Sequence, residues 1–404
     1  MLLGANGISS TLIAVRANLE GMSPTLIGAM GTSYFAGYVI GAAIATRLIG
    51  MVGHIRVFSA LAAIAASCAL LFTMRVDPYL WICVRAVMGF CSAALFTVIE
   101  SWLNGVASNA NRGKVFSVYG MVDIGAVTAS QFLLPSLGAE TFLAFAVMAM
   151  LLSLSLVPIA LSPTTQPEHE GMRSLHIWDV WRISPLAFAA CLTIGLTNSA
   201  FRTMGPLYAR GIGMDFTQIA VFMGAGIGGG AILQVPFGWL SDRFDRRSVL
   251  TAATLGASLG AFVLSLATGS DHRWVYVGVL LFGAFAMPLY SIAAAHANDF
   301  AKPTQYAALS AGLLFTFAVG SMIGPMLASI AIERLGPAGL FAYTGIVHMG
   351  LVAFIAVRTA VRPTLPRNLR VKHVPSIRVT PTLPPSKPQA PEPVQDVDFL
   401  GANG

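Results

Sequence analysis

The chain has 404 residues, of which 56% are hydrophobic and only 10% charged, with 40 glycines and a formal net charge of +7. That profile excludes a soluble globular domain and describes a membrane protein. The four cysteines, Cys68, Cys83, Cys91 and Cys191, lie in apolar stretches without metal-ligand spacing, so neither a disulfide framework nor a metal site is implied.

Apolar runs recur along the chain, each long enough for a helix rising about 1.5 Å per residue to cross a hydrocarbon core of about 30 Å. Twelve spans are predicted, at 1–17, 24–46, 57–74, 78–102, 115–136, 141–161, 185–207, 217–240, 248–267, 274–297, 306–331 and 339–357. Backbone groups in lipid must bond internally, and unbroken apolar runs are not the alternating pattern of a barrel. The expected fold is therefore an all-α membrane bundle. The first span is thin, with 15 residues before Arg16. It lacks a charged leader and a small-residue cleavage site, so it reads as a span whose natural start lies upstream, not as a signal peptide.

Orientation follows from Lys and Arg. With the first span entering from the cytoplasm, the even-numbered loops and the tail hold 17 basic residues and the opposite side five. Both termini are then cytoplasmic, in a bacterial inner membrane. The positive charge is concentrated where this bias places it, so no nucleic-acid partner is needed to explain it.

The longest polar interruption, SPTTQPEHEGMRSLHIWDVWRISP, divides the spans six and six. Internal echoes support a repeat. An offset of 192 pairs Asn6 with Asn198, Thr11 with Thr203 and Leu48 with Leu240, and an offset of 194 pairs Gly89 with Gly283, Leu95 with Leu289 and Asn104 with Asn298. Residues 1–161 and 185–357 are expected to form two six-helix bundles, joined by a cytoplasmic loop over 162–184 and followed by a disordered, basic, Pro-rich cytoplasmic tail over 358–404.

The stretch GWLSDRFDRRSVL is the densest knot of charge, with five charges in the six residues from Asp242 to Arg247. Together with the six-plus-six architecture it resembles the major facilitator superfamily, whose loop motif reads roughly G-x-L-x-D-R-x-G-R-R. Gly238, Leu240, Asp242, Arg243, Arg246 and Arg247 fit, while Asp245 stands in place of the second glycine. The first-half copy, RLIGMVGHIRV, keeps Gly53 and has Arg56 at its basic end, but Gly50 replaces the acid. The resemblance covers residues 1 to about 360 and implies a cytoplasmic gate, in which Asp242 meets the N-terminal end of the fifth span at SNANRGKV.

A charge at the bilayer centre costs about 2.5–3.5 kcal/mol on insertion scales, so each one asks for a reason. Arg85, in RAVMGFCSA, resembles the family's R-x-x-x-G element through Arg85 and Gly89, which implies a place near the coupling machinery. Asp123, near the midpoint of the fifth span, is the deepest acid. Desolvation penalises a charged carboxylate, so Asp123 is the first choice for taking up and releasing protons, with a structural pair to Arg85 or another base across a helix interface as the alternative. Glu100, in ESWLN, and His296, in HAND, are further proton-pathway candidates, each with solvation or packing as the plainer reading. Arg202 and Arg85 come from opposite halves at similar depth and together can draw an anionic substrate into a cavity, although Arg202 can equally snorkel to the outer surface. Asn6, Asn198, Gln131 and Gln234 are embedded amides that either bind substrate or hold helices together. GSMIGPML in the eleventh span carries a G-x-x-x-G-P pattern similar to one that marks the fifth span of proton-linked exporters in the superfamily. Its position here favours close helix packing and a hinge.

No phosphate loop, H-E-x-x-H or nucleophile elbow is present, so neither an enzyme nor an ATP-driven pump is expected, and no cofactor is implied. The reading is a monomeric secondary transporter of a small organic solute, working by alternating access and coupled to protons, in either direction. A gradient-driven facilitator, or a sensor or scaffold that retains the fold, are the alternatives.

Overall fold

The computed structural model describes residues 1–107, 112–161, 177–267, 272–302 and 305–361. Regular structure among these residues is helical, without a strand. The proline-rich tail beyond Val361, most of the central loop and the SNAN opening of the fifth span lie outside the described residues.

The spans map in order onto α1 (Leu2–Leu19), α2 (Pro24–Val52), α3 (His54–Met74), α4 (Pro78–Val106), α5 (Arg112–Leu137) and the pair α6 (Phe142–Leu154) and α7 (Leu156–Ala160). After the short α8 (Ile177–Ile183), the second half comprises α9 (Pro185–Gly211), α10 (Phe216–Arg243), α11 (Arg246–Leu266), the pair α12 (His272–Ala286) and α13 (Leu289–Asn298), α14 (Tyr306–Leu335) and α15 (Gly339–Val361). These make the twelve-span, two-bundle architecture.

Helix starts are written locally. Pro24, Pro78 and Pro185 each open a helix, where a missing N–H costs nothing, behind the caps Ser23, Asp77 and Ser184. Asp77 accepts from the N–H groups of Tyr79 and Leu80 at 3.0 and 2.9 Å. Several helices outrun the predicted spans, because a helix continues past its apolar run until a cap or a left-handed residue ends it. Gly53, with φ +88°, is such an end for α2. The predicted tenth span is broken in two at Met287 and Pro288, where proline has no N–H to continue the ladder.

Among the described residues, ten helical stretches, with α6 and α7 and likewise α12 and α13 taken together, are long and apolar enough to cross a membrane by length and composition. The two long ones that fall short, α1 and α9, carry Asn, Ser, Thr and Arg within their apolar runs, and most of their residues are buried. They run through the middle of the protein, where other helices shield them from lipid. Outward-facing apolar side chains such as Ile40, Phe132, Leu259 and Phe262 supply the lipid-facing surface.

Close packing repeats between the halves. A Cβ on Gly89 of α4 would overlap the carbonyl of Tyr34 on α2, and a Cβ on Gly283 of α12 would overlap the carbonyl of Gly226 on α10. The two pairs are related by the offsets of 194 and 192 read from the sequence. Gly320 and Gly324 of the G-x-x-x-G-P element likewise press α14 onto the carbonyls of Leu192 and Leu196 on α9.

The halves meet along α2 with α14, α5 with α10, and α1 with α9. The α2 contacts lie near its start: Thr25 donates to Glu333, Gly28 rests on Ser329, and Gly31 faces Thr203 and Pro325. On the other seam Gly224 faces Phe132 and Gly228 faces Thr128. All of these lie toward the end of the bundle where α1 hands over to α2.

Candidate functional site

Between the halves is a cavity of about 760 Å³, counting space continuous with solvent. Helical spacing builds its wall. Asn6, Ser9 and Ser10 on α1 stand three and four residues apart, as do Leu314, Phe317 and Ala318 on α14. Tyr34, Phe35 and Tyr38 come from α2. From α9 come Asn198 and Arg202, with Ser199 and Thr203 one residue on from each. Arg85 projects from α4, and Met287 sits at the break between α12 and α13.

Arg85 is the best-positioned of these. It is only 4% exposed, donates from Nη1 to Ser9 Oγ at 3.1 Å, and lies 4.2 Å above the centroid of the Tyr34 ring. The Tyr34 hydroxyl in turn donates to Asn6 Oδ1 at 3.0 Å, so three helices fix one guanidinium. No carboxylate pairs with Arg85 among the described residues, and the predicted alternative of an Asp123–Arg85 ion pair is not formed. Arg202, from the opposite half, is within electrostatic reach of it. Asn198 donates to Met287 Sδ at 3.7 Å, and its Oδ1 is buried without a hydrogen-bond partner.

Behind this wall is a second cluster. Tyr38 has Tyr34, Glu100, Tyr119 and Asp123 as electrostatic neighbours. Glu100 and Asp123 are 5% and 2% exposed, so two acids from α4 and α5 are withdrawn from solvent, and neither lines the cavity. Tyr38 belongs to both groups.

Gln131 and Gln234 lie elsewhere. Gln131 accepts from Thr11 Oγ1 at 2.8 Å and donates to the Gly7 carbonyl at 2.9 Å, which staples α5 to α1. Gln234 donates to Ser291 Oγ at 3.0 Å, tying α10 to α13. The structure thus brings Asn6, Asn198, Arg85 and Arg202 to one cavity, places Glu100 and Asp123 behind it, and puts the two glutamines at helix interfaces.

The charged loop forms a separate centre at the far end of α10. Arg246 is 2% exposed and lies 3.6 Å from Asp242 and 3.4 Å from Asp299, which follows α13. Asp245 caps α11 by accepting from the Arg247 N–H at 3.1 Å, which explains why an acid serves where the motif has glycine. Arg243 stacks 4.0 Å from the Trp239 centroid, and Gly238 and Leu240 occupy the last turns of α10. His296 does not reach the cavity; it lines a small cleft with Arg247, Phe300 and Arg358. In the first half Arg56 is exposed, and the buried His54 takes the central place, 2.9 Å from Ser101. The expected partner of Asp242, the opening of the fifth span, lies outside the described residues.

The sequence reading missed Ser9, Ser10, Tyr34 and Tyr38. A signal was available: three aromatics, Tyr34, Phe35 and Tyr38, share a turn of an otherwise glycine-rich helix, and two serines follow Asn6 at helical spacing.

A family model described as Major Facilitator Superfamily matches residues 1–233 and 226–389. An uncharacterised MFS-type transporter from Yersinia pestis (strain Pestoides F) is 24% identical over 338 residues, 83% of this chain and 87% of the relative. The uncharacterised MFS-type transporter YcaD of Escherichia fergusonii is 22% identical over 376 residues, 93% of this chain and 96% of the relative. Among solved structures, the nucleoside transporter NupG superposes with a TM-score of 0.76 at 12% identity, covering 88% of this chain and 96% of NupG. A D-xylose-proton symporter superposes at 0.67 and 14% identity, covering 88% and 94%.

Proposed function

The chain belongs to the Major Facilitator Superfamily and is a membrane transporter, and from that premise we propose that it is a proton-coupled secondary transporter of a small organic solute. The observation that carries the coupling is the pair of buried acids, Glu100 and Asp123, gathered around Tyr38 on the wall of the central cavity. A buried carboxyl favours its neutral form, and approach of water or of a solute changes that balance, so proton uptake and cavity occupancy become linked.

Alternating access is supported by the seams. The close contacts between halves cluster at the α1–α2 end, where glycines let the helices touch, so one end of the cavity is sealed. With both termini cytoplasmic in a bacterial inner membrane, the sealed end is the outer one. The loop motif at the opposite end then works through the Arg246 clasp, which holds α10, α11 and the end of α13 as a unit during rocking.

The test uses the full chain in proteoliposomes loaded with a pH-sensitive dye. Addition of a transported solute moves protons with it in the native protein. Asp123→Asn is expected to keep solute exchange and lose proton movement; undiminished proton movement in that variant rejects the coupling role.

A further inference from the structure

We propose that the central cavity takes an organic anion: an acid group shared between Arg85 and Arg202, with a short apolar or aromatic body. This rests on the transport reading of the same cavity and gives it a substrate class.

The argument starts from charge. Arg85 is buried to within 4% and is met only by a hydroxyl, a ring face and a second cation. Neither a serine nor a π-face neutralises a guanidinium, and a buried charge without its opposite is expensive in a low-dielectric interior. Arg202 adds a second positive charge to the same hollow. Among the described residues that line it, none is Asp or Glu. The acids Glu100 and Asp123 stand behind Tyr38, not on the surface of the cavity. The wall therefore focuses positive potential on a space large enough for a small solute, and the missing charge is negative.

The remaining wall sets the body. Phe35, Phe317, Leu314 and Met287 give the cavity apolar surface, and Asn198 has a buried, unbonded Oδ1 for one donor. A cation is repelled by this wall, and a neutral solute leaves the Arg85 guanidinium uncompensated.

The two cations come from opposite halves, which links occupancy to movement. Like charges resist bringing the halves together around an empty cavity. An acid group bridging them removes that resistance, so the loaded carrier closes more readily than the empty one.

The experiment measures thermal stabilisation and calorimetric binding of the full chain in lipid nanodiscs, with matched acid and amide pairs: benzoate with benzamide, 3-phenylpropionate with 3-phenylpropionamide, glutarate with glutaramide. At least one acid is expected to bind and its amide not. Arg85→Gln and Arg202→Gln should each weaken the acid about tenfold, the loss of one charged hydrogen bond, while Arg85→Lys retains more of the affinity than Arg85→Gln. Arg202→Gln, at a half-buried position, keeps the test open should Arg85→Gln misfold. Amides binding as well as acids, or affinity indifferent to both arginines, overturns the anion class while leaving transport intact. Failure of all six probes overturns it too; failure of any solute to move in proteoliposomes overturns the transport reading itself.

Discussion

His54 Nε2 lies 2.9 Å from Ser101 Oγ, tying the start of α3 to the last turns of α4. At an offset of 192, Arg246 holds the matching place at the start of α11 and reaches Asp299, just past α13, at 3.4 Å. The repeat thus preserves a clasp while changing its chemistry from a histidine–hydroxyl contact to an ion pair. Asp299 is 3% exposed at the side chain, so Asp299→Ala removes the buried carboxylate from Arg246, leaves it the more exposed Asp242, and should cost about 3 kcal/mol. Asp242 is 35% exposed, so Asp242→Asn should cost less than about 1 kcal/mol. Thermal unfolding in detergent compares them, and equal losses would mean that the Asp299 contact is not the anchor.

Gly89 and Gly283 are the tightest points of α2 against α4 and of α10 against α12. Alanine at either has to push a backbone carbonyl aside, and overpacking of this kind costs about 1–3 kcal/mol. Gly4→Ala and Gly125→Ala, whose new Cβ would meet nothing within 4 Å, are the controls and should stabilise slightly or do nothing. Melting temperatures of the four variants that fail to split into these two pairs would contradict the packing.

The number and order of the spans, the repeat and the family were legible because each is written in long apolar runs or in a dense motif. The site was legible only in part. Asn6, Asn198, Gln131 and Gln234 look alike as embedded amides; which line the cavity and which staple helices depends on helix rotation, and that is fixed by glycines packing against distant carbonyls. The cavity-lining helices α1 and α9 are faint by hydropathy for the same reason that they matter, since they trade apolar surface for polar wall. The break at Met287 and Pro288 was hidden because Pro135, Pro206, Pro236 and Pro325 all sit inside unbroken helices.

Cavity-lining and helix-stapling amides should respond differently to substitution. Gln131 is fully buried with its amide satisfied by Thr11 and Gly7, so Gln131→Leu should lower stability by about 0.5–2 kcal/mol. Asn198→Leu gives up only a weak contact to sulfur and should cost less, while altering solute affinity. Unfolding and binding measured on the same preparations should move in opposite order for the two variants. A Gln131→Leu protein of native stability and lost binding would place that amide in the cavity instead.

Gly31 of α2 sits where the halves close. A Cβ there would lie 2.6 Å from Thr203 Cγ2 and 2.8 Å from Pro325 Cβ, both contributed by the other half. Because the obstruction lies between two bodies and not within one, the protein can relieve it by swinging the seam open, without unfolding either bundle. Gly31→Leu should therefore leave the unfolding free energy within about 0.5 kcal/mol of native, the range of substitutions that break no packed core. Transport should stop, because the cavity can no longer seal at that end. A cysteine introduced by Asn198→Cys, in a background freed of the four native thiols, reports the change. Reaction with an impermeant maleimide added from the outer side should rise in the Gly31→Leu protein relative to its parent. Unchanged labelling with transport lost would move the gate away from this seam, and unchanged transport would mean that the contact between α2 and α14 need not form in the cycle.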